Sequence, residues 1–187
     1  VLPITYGYIK LLGESGLRRA TEMAIVNANY LAAALKDEFG IVYTGETGRV
    51  GHEMILDLRD FRKLYGVECA DIARRLMDYG FHAPTLSFPV HETLMIEPTE
   101  SESLAESLVA IKRECEQIRD GEADAEDNPV KMAPHTAQEA CADTWTHPYG
   151  RERAVFPLPW IRANKFFPYV TKIDGGYGDR NLCCTCG

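Results

Sequence analysis

The chain has 187 residues, of which 45% are hydrophobic, 26% charged and 10% aromatic, and its formal net charge is -8. That length suits one domain with an appendage, and such a chain buries roughly 70% of its unfolded surface, so a core forms without staples. The composition excludes wholesale disorder and collagen-like repeats. The longest apolar run, Tyr30 to Leu35, is far short of the ~20 residues that cross a bilayer as a helix.

The first clear element spans about Ser15 to Phe39. Apolar residues fall at Leu17, Ala20, Ala24, Ala28, Leu31, Leu35 and Phe39, a single stripe of 3.6-residue period. Gly40 follows as a left-handed stop. Ile41 to Tyr43 reads as a short strand, and Gly45 to Gly48 as a turn. Glu53 to Arg59 alternates, with Met54, Leu56 and Leu58 on one face, as a half-buried strand does. Val67 to Tyr79 returns to helical period and is closed by Gly80. Phe81 to Ala83 and Thr93 to Glu97 are the next expected strands. Thr99 and Glu102 form a capping-box pattern ahead of a helix with Leu104, Leu108, Ile111, Cys115 and Ile118 on one face. The order α-β-β-α-β-β-α predicts an α+β layer, a short, mostly antiparallel sheet with helices on one face.

After Gly121 the texture changes. Six of the ten prolines lie between Pro129 and Pro168, and eight of the aromatic residues between Trp145 and Tyr177. One short helix is expected after Thr136, again from a capping-box pattern with Glu139. Proline limits regular structure here, yet exposing so many rings is unfavourable, so this tail is expected to wrap against another surface. The expected division is therefore residues 1–121 as a small α+β domain and 122–187 as a C-terminal wrapping tail.

Charge and thiols narrow the function classes. Between Glu97 and Asp127 eleven acidic residues stand against three basic ones, and the remainder balances. No global basic field exists to hold nucleic acid. The acidic run reads as a solvated helix face and loop, with docking to a basic partner as the sharper alternative. Cys69, Cys115 and Cys141 stand alone, while Cys183, Cys184 and Cys186 crowd the end. Zinc takes four ligands, and the nearest histidine in sequence to that trio is His147, so free thiols in a reducing, intracellular setting are the expectation. The glycines at 45, 48 and 51 lack the Gly-Lys-Ser/Thr of a phosphate loop. His52 and His91 read as structural or solvent-facing; His82, ahead of Ala83-Pro84-Thr85 at a strand end, faces a cleft more readily. The opening Val1-Leu2-Pro3-Ile4 has neither an initiator Met nor a basic leader, which points to a piece of something longer.

Longer motifs carry more. Asp71 to Thr85 (DIARRLMDYGFHAPT), Ser87-Phe88-Pro89-Val90 and Leu94 to Glu102 (LMIEPTESE) together resemble the C-terminal region of the glycine decarboxylase family, the P-proteins of the glycine cleavage system. Leu2-Pro3-Ile4, Tyr8-Ile9-Lys10, Ala28-Asn29-Tyr30, Asp127-Asn128-Pro129, His147 to Glu152 and Tyr177 to Leu182 fit the same family. The resemblance covers nearly the whole chain. It implies an aminotransferase-like, fold type I enzyme that uses pyridoxal phosphate as an electron sink while glycine loses carbon dioxide. It also implies transfer of the aminomethyl group to the lipoyl arm of the carrier H-protein, and a homodimer or heterotetramer in a bacterial cytoplasm or a mitochondrial matrix. The Schiff-base lysine is expected upstream of Val1, since none of the seven lysines here lies in the family's cofactor motif. The fragment alone is thus expected to be inactive. From this piece the expected contacts to substrate or carrier are His82, Thr85, His147, Arg151, Arg180 and Asn181, each with tail anchoring as the alternative role. One departure from the family falls between Glu106 and Ser107, where relatives carry further residues; a shorter continuous helix or a segment left out of the sequence would each account for it. A second reading makes the chain a non-catalytic interface or carrier-docking module of the same complex. A third, the small domain of another aminotransferase-fold enzyme such as a cysteine desulfurase, would use the terminal thiols.

Overall fold

Apolar residues at steps of three and four form the first long helix. In a computed structural model, which describes residues 1–99 and 101–182, α1 runs Leu2–Leu35. It starts earlier than the apolar stripe indicates, because Pro3 sits in the first turn, where its missing N–H costs nothing. It ends earlier too. Gly40 opens a strand rather than stopping the helix, and a side chain there would press on Asp57 Cβ at 3.1 Å. Gly13 (φ 62, ψ -175) breaks the helical path within α1. Only the last turns are buried, through Ala28, Leu31, Ala32 and Leu35.

Four strands follow: β1 (Gly40–Val42), β2 (Met54–Asp57), β3 (Thr85–Leu86) and β4 (Thr93–Ile96). They form one antiparallel sheet in the order β1-β2-β4-β3. Met54 pairs with Ile96 and Leu56 with Leu94, and all four belong to the core. The expected strand at 81–83 does not form. The Phe81 N–H is already committed to Leu76 O at 3.1 Å, closing the preceding helix over left-handed Gly80, and Pro84 has no N–H to give. The pairing moves instead to Thr85–Leu86.

Between β2 and β3 lie α2 (Phe61–Tyr65) and α3 (Cys69–Asp78). After β4 comes α4 (Ser101–Arg119), which runs unbroken through Glu106 and Ser107. Leu104, Leu108, Ile111, Cys115 and Ile118 are all buried, as the spacing requires. The core joins α1, α3 and α4 to one sheet face, with Phe39 stacked on Phe61 at 5.7 Å. Each large aliphatic side chain fully buried there contributes about 1.5–3 kcal/mol. Among the described residues no helix is long and apolar enough to cross a membrane.

The tail holds short pieces: α5 (Pro129–Met132), α6 (Ala137–Ala140), α7 (Arg151–Val155), a 3-10 turn (Pro159–Ala163) and α8 (Gly175–Arg180). Asn128 caps α5 by accepting from the N–H groups of Val130 and Lys131. Thr136 caps α6 by accepting from the Glu139 N–H at 3.2 Å, while the Glu139 carboxylate turns elsewhere. Val130 and Ile161 enter the common core. Beyond it, Phe166, Tyr169 and Tyr177 are exposed.

Candidate functional site

The six residues expected from the sequence fall into three places. His82 and Thr85 line one cleft of about 390 Å3, bounded also by Gly80, Pro84, Met95 and Glu97. The turn after α3 and the start of β3 position them, and β4 forms the opposite wall. Among the described residues no lysine or arginine lines this cleft, so they offer neither an amine for an imine nor a cation for a phosphate. Glu97 gives it a charged wall and with Glu53 flanks the exposed His52.

His147 and Arg151 lie in the tail, inside an aromatic knot. The His147 ring stacks on Tyr149 at 5.0 Å and meets Trp145 edge-on at 4.9 Å. Its Nδ1 lies 2.6 Å from Asp127 Oδ1 and its Nε2 lies 3.1 Å from Glu139 Oε1. The Arg151 guanidinium donates to Ala142 O at 2.7 Å and lies over the Trp145 ring. Both side chains hold tail segments together. Arg180 and Asn181 stand apart from both places, at the exposed end of α8; the Asn181 amide donates to Tyr177 O.

Beneath the knot is a buried charge network that the sequence reading passed over. Arg75 has no exposed surface, and all five of its N–H groups are used. Nε and one terminal nitrogen grip Glu114 at 2.9 and 2.8 Å; the remaining bonds go to Asp78 at 2.9 Å, Ala154 O at 2.7 Å and Arg153 O at 3.0 Å. Burial pulls the guanidinium pKa down, but the Glu114 and Asp78 charges more than offset it, and the net direction is up. Asp78 also accepts from the His135 N–H at 2.7 Å and meets His135 Nδ1 at 2.8 Å. A carboxylate accepts, so Nδ1–H donates; in the neutral ring Nε2 then accepts from the Tyr149 hydroxyl at 2.9 Å. Burial raises the Tyr149 pKa and keeps that hydroxyl protonated. Lys165 donates to Asp78 O at 2.6 Å from a site whose burial lowers its ammonium to about 8.

One signal was available in the sequence. Glu114 sits three after Ile111 and four before Ile118, on the buried stripe of α4. A charge at such a position requires a buried partner. Nothing comparable flags His135, whose neighbours are polar or small.

The profile of the family described as "Glycine dehydrogenase, C-terminal domain" matches residues 20–135. A protein of Bacteroides fragilis named "Glycine dehydrogenase (decarboxylating)" is 55% identical over 192 residues, covering 100% of this chain and 20% of the relative. Proteins of the same name from Bordetella avium and Bdellovibrio bacteriovorus are 53% and 50% identical over the same shares. The chain thus spans 20% of the length of the curated relatives it matches.

Proposed function

Because this chain belongs to the glycine dehydrogenase C-terminal domain family, we propose that it is the C-terminal part of an enzyme that decarboxylates glycine and passes the aminomethyl group to a lipoyl-bearing carrier, the H-protein. The observation that carries this reading is identity of 50–55% across the whole chain with proteins named for that activity. The small antiparallel sheet with helices on its core face suits the small domain of an aminotransferase-like fold. Pyridoxal phosphate would supply the electron sink for loss of carbon dioxide. The cleft at His82 and Thr85 does not fit that group by itself, having no lysine or arginine among its described lining residues. The imine and phosphate contacts are therefore assigned to the rest of the parent, and residues 1–121 to one rim of the site.

The remaining roles follow from exposure. Leu2, Ile4, Tyr6, Leu11, Met23 and Val26 stand exposed on α1, a patch that suits packing against the rest of the parent. That same surface favours the second reading, an interface or carrier-docking module, and both roles are compatible within one protein. His82 and Thr85 are assigned to the cleft facing substrate. Arg180 and Asn181, exposed and away from the core, are assigned to substrate or carrier contact. His147 and Arg151 are assigned to holding the tail in place. The parent is assigned to a bacterial cytoplasm or a mitochondrial matrix, as a homodimer or heterotetramer.

Glycine–bicarbonate exchange by the full-length parent tests the reading. Arg180→Ala is expected to lower exchange with little loss of stability. This chain alone, given pyridoxal phosphate and glycine, is expected to release no carbon dioxide; release would overturn the assignment of the reactive amine to the rest of the parent.

A further inference from the structure

His147 joins three separate pieces of the tail. Asp127 comes from the loop after α4, Glu139 from α6, and His147 itself from the loop that ends at Tyr149. Both ring nitrogens point at carboxylate oxygens, at 2.6 and 3.1 Å. A neutral imidazole carries one N–H, so it satisfies one carboxylate and turns a lone pair toward the other; only the imidazolium donates to both. The second oxygen of Glu139 is buried without a hydrogen-bond donor, which increases the site's dependence on a positive charge. The ring is 12% exposed, so water offers little substitute.

We propose that His147 is a proton-operated clasp: the imidazolium fastens the pieces of the segment 124–150 to one another, and loss of its proton loosens that segment as pH rises.

The surroundings of the ring set the sign. Burial disfavours the imidazolium, but the hydrogen bonds that it donates to Asp127 and Glu139 outweigh it, and the pKa rises above its ordinary value near 6.5. Tyr149 stacks on the ring, and burial keeps its hydroxyl protonated; His135 and Trp145 meet the ring by their edges. Arg151 lies beyond Trp145, while Arg75 and Asp78 lie behind His135. The fastened form thus holds a proton that the loosened form has released. Its advantage is complete below pH 6.5 and is lost between there and the raised midpoint. In that window the opening equilibrium grows by up to about tenfold per pH unit, and then levels off. Loosening also frees Tyr149, whose hydroxyl reaches His135 in the buried network.

The test uses the full-length protein that carries this chain. Deuterium exchange at the histidine C2 position, read by mass spectrometry between pH 5 and 9, gives the His147 midpoint. Amide exchange of the peptides spanning 124–150, corrected for the intrinsic pH effect, gives the opening. A His147 midpoint above 6.5, with protection of 124–150 falling through it, is expected. In His147→Gln that fall should vanish, leaving low protection at every pH. If that variant does not fold, Glu139→Gln should lower the C2 midpoint of His147. A midpoint at or below 6.5, an unmoved midpoint in Glu139→Gln, or the same amide profile with Gln at 147 would overturn the proposal.

Discussion

The first half of α1 and the segment 129–161 are opposites. The former is regular, continuous save for Gly13, and largely exposed; the latter is broken by prolines into four- and five-residue pieces, yet most of its residues are buried or half-buried. Regular backbone satisfies its own hydrogen bonds and can stand in water, whereas irregular backbone needs outside partners. The tail finds them in Arg75, which takes the carbonyls of Arg153 and Ala154, and in Asp78, which takes the His135 N–H. Secondary-structure content is therefore a poor guide to which part of this chain is fixed.

Substitutions sharpen the contrast. The largest effect is expected at Arg75. Arg75→Ala leaves Asp78 and Glu114 buried without their cation and should cost about 3–5 kcal/mol. Hydrogen-exchange protection of α3, α4 and α7 should fall together. If α7 alone lost protection, the network would be a local tether and the contrast would weaken. Leu108→Ala empties a wholly buried position on α4 and should cost about 2–5 kcal/mol in urea unfolding. His135→Phe keeps a ring but strands the Tyr149 hydroxyl and one Asp78 contact, at about 1–3 kcal/mol. Its signature should be lost protection in 135–150 with α1 unchanged. Asn128→Ala removes the α5 cap at about 1 kcal/mol. Smallest of all, Leu11→Ser on the exposed half of α1 should change the stability of this chain by no more than about 0.5 kcal/mol. The same change should weaken assembly of the parent far more, if that face is covered there.

The sequence was most readable where periodicity and burial coincide. The α4 stripe, the Met54/Leu56 face of β2 and the closure of α3 at Gly80 all appear as the spacing predicts. It misled where one group had two possible uses. The Phe81 N–H served the helix end rather than a strand, and Gly40 served a close strand approach rather than a helix stop. Only the end of the α1 stripe packs within this chain, since Leu17, Ala20 and Ala24 lie outside the core that takes Leu31 and Leu35. Of the candidate site, His82 and Thr85 do line one cleft, but from the turn after α3 and the start of β3 rather than from the strand end that the sequence suggested. The Arg75, Asp78, Glu114 and His135 set was not legible, because it is assembled by bonds across up to 57 positions that no local pattern encodes. The terminal thiols Cys183, Cys184 and Cys186 lie outside the described residues.

Within α1, Gly13 is a joint. Its φ of 62 with ψ of -175 belongs to a region essentially closed to any residue bearing a Cβ, although nothing lies within 4 Å of where that atom would sit. The obstacle is torsional, not crowding. One achiral joint thus sets the bearing of residues 2–12, so alanine there would swing the whole lever to a new heading without disturbing a single packed atom.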